Sequence, residues 1–216
     1  MHTSIRRALL SAALVWVALV SAALPAAADG PLEGRIGRAE LRFLQGMIDH
    51  HQMAVDMAAD CTARTDVSEA LLAECQAVID AQGPEIAQMQ AWLLAWYNVV
   101  YEPMPMAAGG DAMAGMDHGS GGHAGHGAGE GPFTDPAMMM GMMAGFNRIE
   151  GAEYEAAWLE AMIDHHDDAV HMSERLLARD ADANGHPALR TLAQAIIDAQ
   201  SVEIARYEAM LTAMAG

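Results

Sequence analysis

A chain of 216 residues with 29 acidic and 11 basic side chains carries a formal charge of −18 at neutral pH, and every basic residue is arginine. So acidic a surface repels nucleic acid and anionic lipid and attracts cations, which excludes polyanions as partners and favours metal ions. The length suffices for one domain with a real core or for two small halves.

The first residues place Arg6 and Arg7 before an apolar run from Ala8 to Leu24, followed by Pro25-Ala26-Ala27-Ala28. Positive start, apolar middle and Ala-x-Ala site are the pattern of a cleaved secretory leader, with cleavage expected after Ala28. No cysteine follows the run, so a lipid anchor has no attachment point. Removing 1–28 takes away two arginines and no acidic residue, leaving nine basic side chains against 29. No later segment is apolar enough to span a bilayer, so a periplasmic or secreted location without membrane attachment is expected.

Apolar positions then recur at three and four residues through Leu44, Met47, Ile48, His51, Val55 and Ala58, and again through Leu71, Cys75, Val78, Gln82, Ile86, Met89 and Leu93. Both runs predict amphipathic helices. Asp66 with Glu69 three residues on resembles a capping box opening the second helix. Pro84 lies inside that helix and should kink it. Cys61 and Cys75 flank the turn between the helices, where an oxidising compartment favours a disulfide and a thiolate metal site is the alternative.

The pattern then repeats. Leu44-Gln45-Gly46-Met47-Ile48-Asp49-His50-His51 is matched by Leu159-Glu160-Ala161-Met162-Ile163-Asp164-His165-His166, and Val78-Ile79-Asp80-Ala81-Gln82 by Ile196-Ile197-Asp198-Ala199-Gln200. The first pair is 115 residues apart and the second 118, so the connector of the second half is three residues longer, with Asn184-Gly185-His186-Pro187 marking its turn. Each half, 29–102 and 146–216, therefore reads as a helical hairpin. One hairpin cannot cover its own apolar stripe, so the two are expected to pack as an all-α four-helix bundle. Between them, residues 103–145 are rich in Gly, Ala, Met and His, including Met113, Met116, His118, His123 and His126. This insert is expected to be disordered without a ligand.

On a helical wheel Met47, His50 and Met57 fall along one edge of the first helix with Met53 on its flank, and His51 lies near the centre of the apolar stripe. Adjacent histidines are about 100° apart, so one should face the bundle and the other its rim. Glu85 and Glu203 sit beside otherwise apolar stripes and must be paired or bound to a cation. His51 with Glu85, and His166 with Glu203, are the natural partners across each hairpin, and a hydrogen-bonded His-Glu-Gln network without metal is the alternative for these inner residues. The outer group, Met47, His50, Met53 and Met57 with Met162, His165 and Met172, combines thioether and imidazole. Thioether selects Cu(I), and imidazole accepts both Cu(I) and Cu(II). Packing is the alternative use of the methionines. Met89 on the second helix adds another thioether, and His171 replaces Asp56 on the polar side.

The segments Phe43-Leu44-Gln45-Gly46-Met47-Ile48-Asp49-His50-His51-Gln52-Met53-Ala54-Val55-Asp56-Met57-Ala58 and Gln82-Gly83-Pro84-Glu85-Ile86-Ala87-Gln88-Met89-Gln90-Ala91-Trp92-Leu93 resemble the domain of unknown function 305 family. The resemblance implies a ferritin-like, exported helical protein, some relatives being associated with periplasmic copper binding and resistance. It also supports a Cys61–Cys75 disulfide. Tyr207 at the position of Met89, and the lack of cysteine in the second half, speak against equal metal affinity in the two halves. A di-iron oxidase would need Glu-x-x-His motifs, which the sequence lacks, and no nucleophile has a local motif, so no enzymatic activity is expected. The function expected is copper sequestration or buffering, with metal ions and a copper-handling protein as partners. A purely structural or protein-binding bundle is the alternative.

Overall fold

A computed structural model of the chain describes residues 30–103 and 143–216. The expected leader, and Met113, Met116, His118, His123 and His126 of the insert, lie outside the described residues. Four long helices, α1 (Gly34–Thr62), α2 (Glu69–Tyr97), α3 (Gly151–Arg179) and α4 (Pro187–Met214), form two hairpins, and no strand occurs among the described residues. The fold is an all-α bundle. Of the segment 103–145, residues 143–145 enter a helical turn that seats Phe146 and Met143 on the core.

The helix ends show where local sequence decides. Ser68, not Asp66, caps α2, its hydroxyl accepting from the Leu71 N–H at 3.2 Å. That oxygen sits one residue before the helix, where it reaches the orphaned amides of the first turn. Asp66 instead receives Arg64 at 3.0 Å and the Gly151 N–H at 2.8 Å, and the Arg64 guanidinium holds its carboxyl down at about 2. α2 runs without interruption through Pro84. It ends at Asn98 in the left-handed region, with the Val99 N–H returning to the Leu93 carbonyl. Proline at the first position of α4 supplies a preset φ where no donor is needed.

Within the first hairpin Cys61 and Cys75 form a disulfide, closing a loop that stabilises by about 3 kcal/mol. Shifting by the repeat offsets puts Leu176 and Ala193 in their places, both buried, so van der Waals packing substitutes for the bond. The longer second connector is organised by Asp180, which accepts from the Asn184 and Gly185 N–H groups and pairs with Arg190 at 2.7 Å.

The hairpins join along α1 and α3, which run antiparallel. Tyr154 donates to Asp60, Trp158 to the Met57 carbonyl, and His165 to the His50 carbonyl. Two reciprocal links close the ends. Glu155 of α3 accepts from the Ser68 N–H at the start of α2, and Glu40 of α1 accepts from the His186 N–H at the start of α4. Both glutamates and both cap residues obey the repeat offsets, so the bundle has an approximate internal twofold. Its axis passes between His50 and His165, equivalent positions that touch each other. On one side lies an apolar cluster including Met53, Met57, Trp158, Met162 and Tyr207, and on the other a cluster including Leu44, Met47, Met89, Trp92 and Ala169.

Candidate metal centre

The four motif histidines form a polar layer between these two clusters. All four are fully buried. This corrects the expectation that one histidine of each pair would face the rim. A wheel drawn for one hairpin contains a single buried stripe, whereas α1 and α3 each have two, one against the partner helix of the hairpin and one against each other.

The inner histidines turn to their own hairpins. His51 Nε2 lies 2.8 Å from Glu85 Oε2, and His166 Nε2 lies 2.9 Å from Glu203 Oε2. Each glutamate keeps a little solvent contact, 17% and 16%, so these pairs sit between core and surface. Gln82 and Gln200 are buried beside them, each with an unpartnered side-chain oxygen.

The other two histidines meet at the axis, ring centroids 3.6 Å apart. His165 Nε2 lies 3.0 Å from the His50 carbonyl oxygen. Neither ring nitrogen of His50 meets a hydrogen-bond partner of good geometry, and Nδ1 is likewise unpartnered in His51, His165 and His166. Burial, reinforced by the neighbouring histidines, pushes the His50 and His165 imidazoles well below their ordinary value of 6.5. They are therefore neutral at physiological pH, and a neutral imidazole offers the lone pair that a metal needs. Leaving such polar atoms unsatisfied costs about 1–3 kcal/mol each.

The methionines stand on both sides of this layer. Met47 and Met89 are buried in one apolar cluster with Met172 packed against it, and Met53, Met57 and Met162 are buried in the other. His171 stays on the polar face, more than half exposed, with Nδ1 on the Asp167 carbonyl at 2.8 Å, and does not join the layer. Among the described residues no three His, Cys, Asp or Glu side chains gather closely enough to hold an ion by themselves. Thioether sulfur from the adjoining clusters, added to these imidazoles, would make a soft donor set. The orphaned buried nitrogens and the flanking sulfurs fit copper in chemistry.

Sequence reasoning overlooked the Glu40–His186 contact and its counterpart Glu155–Ser68. The signal was present, because Glu40 and Glu155 are 115 residues apart, the offset of the histidine motif. Glu74 and Arg206, which lie beside Glu203 with Tyr207 and have no like-charged counterpart in the other half, were also not singled out from the sequence, although Tyr207 was.

The fold and site thus define an all-α bundle of two hairpins that buries a repeated His-His layer between methionine-bearing clusters. The chain belongs to the domain of unknown function DUF305 family, whose model matches residues 40–211. It is similar to CopM in the Cu(II)-bound form, at 26% identity over 80% of this chain and 95% of that one, with a TM-score of 0.55. A DUF305 fragment from Deinococcus radiodurans is 25% identical over 81% of this chain and 95% of that one, TM-score 0.57. CopM in the Cu(I)-bound form, at 20% identity over 82% and 98% and TM-score 0.58, shares the fold. No curated protein matches the chain. No described helix is long and apolar enough to cross a membrane.

Proposed function

We propose that this is an exported, non-enzymatic copper-binding protein that sequesters or buffers Cu(I), with Cu(II) accepted by the imidazoles, and so contributes to copper homeostasis or resistance. The observation that carries the reading is His50, a fully buried neutral imidazole with both nitrogens unpartnered, facing its repeat equivalent His165. A structural histidine in so dry a place would be expected to bond to its surroundings. Similarity to CopM, which has been solved with copper bound, supports the same reading, as does the Met and His content of residues 103–145. Export rests on the N-terminal leader pattern.

In this reading His50 and His165 supply nitrogen at the axis, and the methionines supply the sulfur that makes Cu(I) the preferred ion. In each half the inner histidine, His51 or His166, offers its unpartnered Nδ1 as a further nitrogen donor, and its partner Glu85 or Glu203 a carboxylate for charge balance. The test is an anaerobic Cu(I) titration against a chromophoric chelator, performed on the chain from Asp29 and on the same chain without residues 103–145. Competition by both forms, with fewer equivalents in the shorter one, is the expected result. Competition by neither overturns the reading and favours a structural bundle.

A further inference from the structure

The internal twofold lets the two halves be compared position by position, and among the places where they diverge are two consecutive ones on the helix that faces each inner histidine. Around His51 the second helix presents Glu85, then Gln88 and Met89, with Met89 buried in the same cluster as Met47. Around His166 it presents Glu203, then Arg206 and Tyr207. Tyr207 is fully buried in the cluster that holds Met162, and its ring lies 5.6 Å from that of His166. A phenol thus stands where the first half has a thioether. Its hydroxyl is buried without a hydrogen-bond partner, and a phenol oxygen is a harder donor than the thioether it replaces.

Arg206 adds a second difference. Its guanidinium reaches Glu74 of α2 at 3.3 Å and Glu203 at 3.7 Å, so the carboxylate that pairs with His166 already has a cation beside it. Gln88 carries no charge to do the same for Glu85. At 45% exposure Arg206 is screened, and its ion pairs are worth little in themselves. Its effect is competition for the carboxylate, whereas that of Tyr207 is the removal of a soft donor.

We infer that the two copies are unequal Cu(I) sites, the His51–Glu85 copy with Met89 binding first and more tightly, and that Arg206 and Tyr207 set the lower affinity of the His166–Glu203 copy. The inference rests on the copper-binding reading above. Its determinants are a dipeptide, Gln88-Met89 in one half and Arg206-Tyr207 in the other, which can be exchanged.

The experiment follows the imidazole NMR signals of His51 and His166 during Ag(I) addition, Ag(I) serving as a redox-silent soft cation, alongside anaerobic Cu(I) competition. In the unaltered chain the His51 signals shift first. In the Arg206→Gln, Tyr207→Met chain the second copy gains roughly tenfold in Cu(I) affinity, the factor that about 1.4 kcal/mol of added ligation gives, and both histidines respond together. The Gln88→Arg, Met89→Tyr chain loses the early response of His51. Far-UV circular dichroism and thermal melts establish that each variant is folded, and the loading order of the unaltered chain is decisive without any variant. His166 responding with or before His51 in that chain overturns the inference, as does an unchanged order in the exchanged chains. Absence of any response and of any Cu(I) competition, in chains that remain folded, instead overturns the copper-binding reading itself.

Discussion

His50 and His165 hold the same place in the two repeats and face each other across the bundle axis at 3.6 Å between ring centroids, each wholly removed from solvent. A polar pair at the centre of the α1–α3 junction is costly in the metal-free protein, and that cost divides stability from function at one position. His50→Leu removes two unsatisfied nitrogens while filling a similar volume. It should stabilise the metal-free protein by about 1 kcal/mol, while lowering Cu(I) affinity at least tenfold. Thermal melts with and without Ag(I) read both effects. A variant that loses stability without metal and keeps the Ag(I)-induced gain would contradict the assignment of His50 as a ligand.

The same burial makes the metal-free protein acid-sensitive. His50 and His165 are held neutral in the folded state, their affinity for protons depressed below the ordinary 6.5 by desolvation. Below that pH the unfolded chain binds protons that the folded chain refuses. Their contribution is therefore intact above pH 6.5 and declines as pH falls towards the depressed folded values, by at most about 1.4 kcal/mol per pH unit for each histidine. Melting temperature measured from pH 7 to pH 5 should fall, and the fall should be shallower in a His50→Leu, His165→Leu chain. Equal slopes in the two chains would contradict this origin.

Arg64 sits in the turn of the first hairpin yet serves the start of the second. It pairs with Asp66, donates to the Ile149 carbonyl at 2.9 Å and lies 3.8 Å above the Tyr154 ring. Arg64→Ala should cost about 1–2 kcal/mol, since it removes a cation–π contact and a hydrogen bond while releasing Asp66. Denaturant unfolding measures the change. Arg64→Lys should recover only part of it, because an ammonium lacks the planar fork that meets both partners.

Gly185 marks a spot where a side chain has no room. A Cβ there would come within 2.6 Å of the Asp180 carboxylate and 2.7 Å of that of Glu40. Glu40 is also the acceptor for the His186 ring at 2.6 Å and for the Tyr97 hydroxyl at 2.5 Å. Gly185→Ala should therefore disturb a buried network and destabilise by about 2 kcal/mol or more. Hydrogen exchange of the α4 first turn should report the loss before global unfolding does.

Reduction of Cys61–Cys75 should lower stability by about 3 kcal/mol by freeing the unfolded chain. The second hairpin, with Leu176 and Ala193 in those positions, should be insensitive to reductant. Local hydrogen exchange in α1 and α2, compared with α3 and α4, separates the two hairpins.

Much of this protein is legible in its sequence because the repeat is direct and the helices are amphipathic. Helical periodicity located the four helices, the offsets of 115 and 118 defined two hairpins with a longer second connector, and the oxidising context favoured the disulfide. The pairs His51–Glu85 and His166–Glu203 were also within reach, because a carboxylate on an apolar stripe needs a partner and the facing helix of a hairpin is close in sequence. What only the tertiary structure decided was how the hairpins meet. A helical wheel shows one apolar face per helix, and nothing in it says that α1 and α3 bury a second face against each other, so His50 and His165 read as rim residues. Packing brings these repeat-equivalent histidines onto the internal axis, strips them of water and leaves their nitrogens unpartnered. It also surrounds His166 with Glu74, Arg206 and Tyr207 drawn from two helices. Desolvation and long-range charge depend on which elements become neighbours, and for these residues that is settled by the docking of one hairpin on the other.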